Sequence, residues 1–244
     1  GYTAQQTLDC AQKLYESKLM TYPRTDSCYL TDDMEQTALD MVERTARAFK
    51  FGADYEAQGC VPDVKRLINN DKVSDHHALL PTKEISRFDF SRLSEECWNE
   101  LMLVAARLLL AVSPVHTYNT VTAVLECGGR DFTARGKTVV QGGWKQLESS
   151  IKAGIKGISQ EPDEDSADEP SGVLPPLSEG SEVAVKAVKQ LEHKTTPPKR
   201  YTEDMLLSAM EHAGSDSYDD DDDVEKKGLG TPATRAAIIE TLVK

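Results

Sequence analysis

The chain has 244 residues, 39% of them hydrophobic and 28% charged, enough to bury a good core in one or two domains. Lys and Arg number 28 against 41 Asp and Glu, a net charge of −13 that taken alone argues against a partner as negative as a nucleic acid. The whole excess lies in two stretches without a cation, 161–169 and 216–225, with six and seven acids; the rest is neutral and can still carry a basic groove. Five cysteines, Cys10, Cys28, Cys60, Cys97 and Cys127, are odd in number and widely scattered, which fits neither a disulfide framework nor a zinc site and suits a reducing cytoplasm. No apolar run reaches the length needed to span a bilayer, so a membrane is not an expected partner. The chain starts at Gly1 without an initiator Met and is expected to be a piece of a longer protein.

Thr3 and Gln6 form a capping-box pattern, and Ala4, Leu8, Ala11, Tyr15 and Leu19 recur at helical spacing, so a first amphipathic helix is expected to deliver Tyr22 at its C-terminal end. Thr31 is the expected N-cap of a second helix, with Asp32 and Asp33 favoured by its dipole and Met34, Ala38, Met41, Val42 and Phe49 along one face. A short helix is expected around residues 64–68. Ser94 opens a helix apolar nearly all round, with Trp98, Leu101, Ala105, Leu108, Leu109 and Val112 on its main face, which Ser113 and Pro114 end; it is the expected core of a helical domain.

From Thr117 the texture turns to strands on either side of Gly128-Gly129, and Val183, Val185 and Val188 alternate with charges as a further strand would. An insert over 149–176, rich in Pro, Gly, Ser and acids, suits a loose loop. Thr202 is the expected cap of a helix over Met205–Met210. Thr231 is the expected cap, and Pro232 the first turn, of a last helix behind the glycine-rich turn Gly228-Leu229-Gly230. The fold class is therefore α+β and multidomain: a helical domain over 1–115, a β-rich domain over 116–200, and a helical segment over 201–244 with an acidic loop at 216–225.

One stretch concentrates chemistry: Thr21-Tyr22-Pro23-Arg24-Thr25-Asp26-Ser27. A tyrosine hydroxyl, with a usual pKa of about 10, becomes a nucleophile when nearby positive charge favours its anion. Pro23 drives Tyr22 out of helical geometry, and the guanidinium of Arg24 suits two oxygens of a phosphate. Attack on a phosphodiester is one reading; an ordinary capped helix-to-helix connection is the other. His76 and His77 suit either structural hydrogen bonds or proton handling near a phosphate. The N–H groups of the glycine turn at 228–230 can bind phosphate, although many helices begin this way.

The stretch MTYPRTDSCYL, residues 20–30, resembles the active-site tyrosine motif of type IA DNA topoisomerases, and its ending is closest to the topoisomerase III branch. Three further stretches resemble the same family in the same order: DHHALLPT (75–82), TTPPKRYTEDMLLSAM (195–210) and GLGTPATRAAIIETL (228–242). The resemblance implies that Tyr22 bonds covalently to a DNA 5′ phosphate and that Arg24 and His76 assist as catalytic groups. It implies DNA contacts from Thr25, Asp26, Ser27, His77, Thr231 and Arg235. It further implies single-stranded DNA as partner, a helicase as a second one, a β-rich hinge for gate opening, and residence with bacterial DNA in the cytoplasm, or in a nucleus. Mg²⁺ is the implied cofactor of the full-length enzyme, held by a metal-binding domain that precedes the tyrosine domain and has no counterpart here. No metal is expected in this chain, which alone is expected not to relax DNA. The competing class is a non-catalytic DNA-binding or docking module; a tyrosine recombinase fits less well, since only a short helix precedes Tyr22.

Overall fold

A threonine starts the first helix. Thr3 Oγ1 accepts from Gln6 N at 3.2 Å while the Gln6 side chain accepts from Thr3 N at 2.9 Å, so the capping box closes in both directions. A computed structural model describes residues 2–59, 61–154, 174–175, 177–192, 194–214 and 228–243. Its elements in chain order are helices α1 (Ala4–Glu16), α2 (Glu35–Ala48), α3 (Gly52–Ala57) and α4 (Glu95–Val112), strands β1 (Thr117–Cys127) and β2 (Arg130–Gln141), and helices α5 (Trp144–Gly154), α6 (Glu203–His212) and α7 (Arg235–Val243). They divide into two units, Gly1–Pro114 with Arg200–Lys244, and Val115–Lys199.

The first unit is helical and organised around α4, which Ser94 caps through its hydroxyl to Cys97 N. Leu101 and Leu109 are fully buried, and α4 packs against α1, α2 and the short turn Val64–Leu67. That turn is fixed to the end of α4: Asp63 N donates to Val112 O at 3.0 Å and Arg66 Nη1 to Ser113 O at 2.9 Å, satisfying carbonyls that a helix end leaves open. Phe49, just past α2, stacks on Phe51 at 5.3 Å and on Trp98 of α4 at 5.6 Å. Helix α6 contacts α7, α7 contacts α1, and Glu203 Oε2 accepts from Ala4 N at 2.6 Å.

Several boundaries differ from expectation. The buried face of α1 is Cys10, Ala11 and Leu14, and Tyr15 is 41% exposed, because the stripe turns with Leu14 and not with its larger neighbour. Thr31 makes no side-chain cap: a single tight turn, Asp32–Met34, precedes α2, and Asp32 N is satisfied by Asn70 Oδ1 at 2.9 Å. The helix at Gly52–Ala57 was not expected; the backbone at Gly52 passes so close to Ala46 that an added Cβ would lie 1.8 Å from its carbonyl oxygen. Helix α7 starts at Arg235, with Thr231–Thr234 forming a hydrogen-bonded turn ahead of it.

In the second unit β1 and β2 form an antiparallel hairpin with Ala123 opposite Ala134 and Val121 opposite Gly136. Gly128 and Gly129 have φ of 60° and 72°, the geometry a two-residue type I′ turn requires at both central positions. Residues 181–192 are exposed and join no sheet, so the expected strand there is corrected: alternating valines specify a strand only where a partner edge takes up their backbone groups, and none does among the described residues. Helix α5, with Leu147 and Ile151 buried, occupies the start of the expected loop insert. Most of that insert, and the acidic loop at 216–225, lie outside the described residues.

Two ionisable groups lie in the α1–α4 core. Burial, with the Cys97 thiol alongside, pushes the Cys10 thiol up to about 12, so it packs as a small apolar group. Desolvation pushes the Glu100 carboxyl up to about 7 from 4.5. The folded state therefore binds a proton that the unfolded state has lost between those values, and stability falls as pH rises through that window. Glu100→Gln removes the penalty. It should raise the melting temperature at pH 8, by about 1 kcal/mol of added stability once partial exposure is discounted, and leave it nearly unchanged at pH 4.

Candidate active site

The end of α1 sets where Tyr22 begins. Leu19 N donates to Leu14 O at 2.9 Å and Lys18 N to Tyr15 O at 2.8 Å, with Lys18 at φ 60°, a Schellman closure in which the buried Leu14 and Leu19 make the accompanying apolar contact. A lysine in this left-handed position costs about 1–2 kcal/mol relative to its relaxed conformation, so the tertiary bonds that follow must hold it. They do so next door. Thr82 N donates to Leu19 O at 3.0 Å, the Thr82 hydroxyl donates to Lys18 O, Thr21 N donates to Leu80 O at 2.9 Å, and Leu80 N donates to Thr21 Oγ1 at 2.9 Å. Met20 and Pro81 form the antiparallel bridge of this short ladder.

The other end of the loop is fastened as firmly. Leu30, fully buried, donates to Leu67 O at 2.7 Å and accepts from Asn69 N at 2.9 Å, while Ala78 N donates to Tyr29 O at 2.8 Å. Between these anchors Thr25 Oγ1 donates to His76 O at 2.9 Å, and Ser27 Oγ donates to Lys72 O at 2.7 Å and accepts from Tyr29 N at 3.0 Å. The Tyr22 loop is thus laced to residues 67–82 at both ends and in the middle.

Within that frame Tyr22 is half-exposed. Its ring centroid lies 4.6 Å from that of His76, tilted by 53°, and 5.3 Å from that of Tyr15, edge to face at 77°. Such aromatic contacts contribute about 0.5–1.5 kcal/mol each beyond burial. His76 and Arg24 are exposed, and Lys72 Nζ stands 4.9 Å from the Tyr29 ring. Asp26 is exposed on the same loop. His77 is half-buried, and its Nδ1 lies 2.7 Å from Ala78 O, which makes that nitrogen the protonated one. The phenol of Tyr22 and the imidazole of His76 thus meet on a loop that also carries the exposed Arg24, a combination suited to binding phosphate and handling a proton beside it. Tyr15, which helical spacing put on the apolar face, lies instead against the Tyr22 ring.

Thr231 and Arg235 lie on the connection between α6 and α7. Gly228 has φ 62°, and a Cβ there would meet Met210 O at 2.4 Å and Glu211 O at 2.3 Å; Leu229 N donates to Met210 O at 2.7 Å. The turn is thus pressed onto the end of α6. Thr231 is exposed, its N–H satisfied by Thr234 Oγ1 at 2.9 Å. Arg235 is 8% exposed, with Nε donating to Leu229 O at 3.0 Å and Nη2 to Gly230 O at 3.3 Å. Its guanidinium braces the glycine turn from behind and is not presented on the surface as the expected strand contact. Among the described residues no three His, Cys, Asp or Glu side chains converge to hold a metal ion, so the described residues do not fit a Mg²⁺ site. No helix among the described residues is long and apolar enough to cross a membrane.

Arg235→Ala should destabilise the first unit by about 1–2 kcal/mol, because a buried side chain and its two hydrogen bonds to the turn are lost. Arg235→Lys should restore only part of this, since an ammonium does not reproduce the planar fork. Chemical denaturation of both variants checks it.

Comparison with known proteins matches this arrangement to one family. A family model described as DNA topoisomerase matches residues 1–244. The chain is 38% identical over 251 residues to DNA topoisomerase 3 of Bacillus subtilis strain 168 and 37% identical over 257 residues to that of Bacillus licheniformis, in each case over 99% of this chain and 33% of the relative. It is 36% identical over 245 residues to DNA topoisomerase 3 of Staphylococcus saprophyticus, covering 98% of this chain and 32% of the relative. The chain spans about a third of the length of these curated relatives. On a match that runs its full length, the chain belongs to the type IA DNA topoisomerase family.

Proposed function

We propose that this chain supplies the nucleophile-bearing part of an enzyme that opens and reseals one strand of DNA. The observation that carries the reading is the Tyr22 ring, half-exposed on a loop laced down at both ends, with His76 against it and Arg24 exposed two residues on. In the proposed step the Tyr22 oxygen forms a bond to a backbone phosphorus as the bond from phosphorus to the 3′ oxygen breaks. The phenolic proton leaves and the 3′ oxygen gains one, which leaves a 3′ hydroxyl and a 5′ phosphotyrosine. One phosphoester replaces another, so resealing needs no nucleotide.

Arg24 holds the phosphate oxygens and steadies the charge that gathers on them. His76 is the proton carrier, its imidazole lying against the Tyr22 ring. The hydroxyls of Thr25 and Ser27 act through the loop they tie to residues 72 and 76, while Asp26, His77 and the turn at Thr231 remain as proposed strand contacts. The unit Val115–Lys199 is the proposed hinge of strand passage.

The first of two tests separates this reading from a non-catalytic DNA-binding module, and the second checks that the chain needs the rest of the protein. Within a protein of the relatives' full length that carries this chain, Tyr22→Phe should abolish denaturant-stable adducts with single-stranded oligonucleotides while leaving their binding within about threefold, as the loss of one hydroxyl implies. Adducts that persist in Tyr22→Phe would show the nucleophile to be another residue. The chain by itself, assayed on supercoiled plasmid with Mg²⁺, is expected to give no relaxation; relaxed topoisomers would contradict that.

A further inference from the structure

We infer that Tyr15 is a positioning residue for the nucleophile: its ring, edge to face with Tyr22, holds the direction in which the attacking phenol points. The inference rests on the reading of Tyr22 as nucleophile and goes beyond it, because nothing in the chemistry of cleavage demands a second tyrosine. Tyr15 sits in the last turn of α1, and its side chain is 41% exposed, so it does little for the core that Leu14 beside it fills. Its one aromatic neighbour among the described residues is Tyr22, at 5.3 Å and 77°. His76 also stands against Tyr22, at 4.6 Å and 53°. The nucleophile's ring is thus met by rings from two separate segments, α1 and the loop at 76–82, each fixed in backbone by the bonds around Lys18, Leu19 and Thr82.

A half-exposed tyrosine on a loop can choose among staggered wells about its first side-chain torsion, and each well points the phenol oxygen in a different direction. Attack on phosphorus requires a defined direction of approach, and misplacement by about 1 Å can cost up to about a hundredfold in rate. The two rings narrow that choice before DNA arrives. Of the two, Tyr15 has its backbone at the closed end of a helix, the stiffer mount. Its contribution lies in ring shape, not in its hydroxyl, which separates it from a residue that handles a proton or touches the strand.

The test is single-turnover cleavage of a single-stranded oligonucleotide by a protein of the relatives' full length carrying this chain, with affinity for the same oligonucleotide measured alongside. Tyr15→Ala and Tyr15→Leu should lower the cleavage rate at saturating oligonucleotide by about tenfold or more, with dissociation constant and melting temperature close to the parent's, while Tyr15→Phe retains the rate. Tyr15→Leu keeps most of the side-chain volume, so a loss in both variants is not a cavity effect. Parent-like rates in Tyr15→Ala overturn the inference, as does a loss confined to affinity, which would make Tyr15 a strand contact. Equal loss in Tyr15→Phe overturns it too, by assigning the effect to the hydroxyl. Adducts that survive Tyr22→Phe in the same assay would mark failure of the underlying reading instead.

Discussion

The short ladder between residues 19–21 and 80–82 is the constraint on which the site depends. Four hydrogen bonds, two of them through threonine hydroxyls, join the end of α1 to the segment that carries His76. Without them Lys18 would have no reason to stay left-handed, α1 would have no fixed exit, and the Tyr22 and His76 rings would be set independently. With them, two segments some sixty positions apart in sequence arrive as one rigid edge, and the two rings meet at 4.6 Å. This explains the threonines on either side: Thr21 and Thr82 are the side chains that let a loop behave as a strand.

The same logic governs the glycine turn before α7. Close approach to the end of α6 demands Gly228, and the buried guanidinium of Arg235 holds the turn's carbonyls from behind. Charge in this family of contacts is used in two ways. Arg24 is left exposed two residues from the nucleophile, and Arg235 is spent on backbone, where its planar fork donates to the Leu229 and Gly230 carbonyls.

Local chemistry made part of this legible in the sequence. The capping box at Thr3, the α4 stripe behind Ser94 and the Gly128-Gly129 hairpin are each decided within a few residues, and each is found where residue type puts it. What depends on distant partners was not legible. Whether alternating valines at 183–188 pair, whether Tyr15 turns inward, and whether Arg235 faces solvent depend on how the backbone folds around them and not on residue type, and all three came out otherwise. Helix α5 was hidden for a related reason: Leu147 and Ile151, four apart, are too few to mark a helix ahead of the acidic insert that begins at 149. Motif resemblance supplied the tie between Tyr22 and His76, since spacing alone left both with ordinary structural uses.

Mapping the covalent bond tests the central claim most directly. A protein of the relatives' full length carrying this chain would be trapped on an oligonucleotide by denaturant, digested with trypsin and nuclease, and read by mass spectrometry. The account predicts residual nucleotide on the six-residue peptide from Leu19 to Arg24, attached through the Tyr22 oxygen to a 5′ phosphate. Nucleotide on any other peptide, or a 3′ linkage at Tyr22, would contradict it.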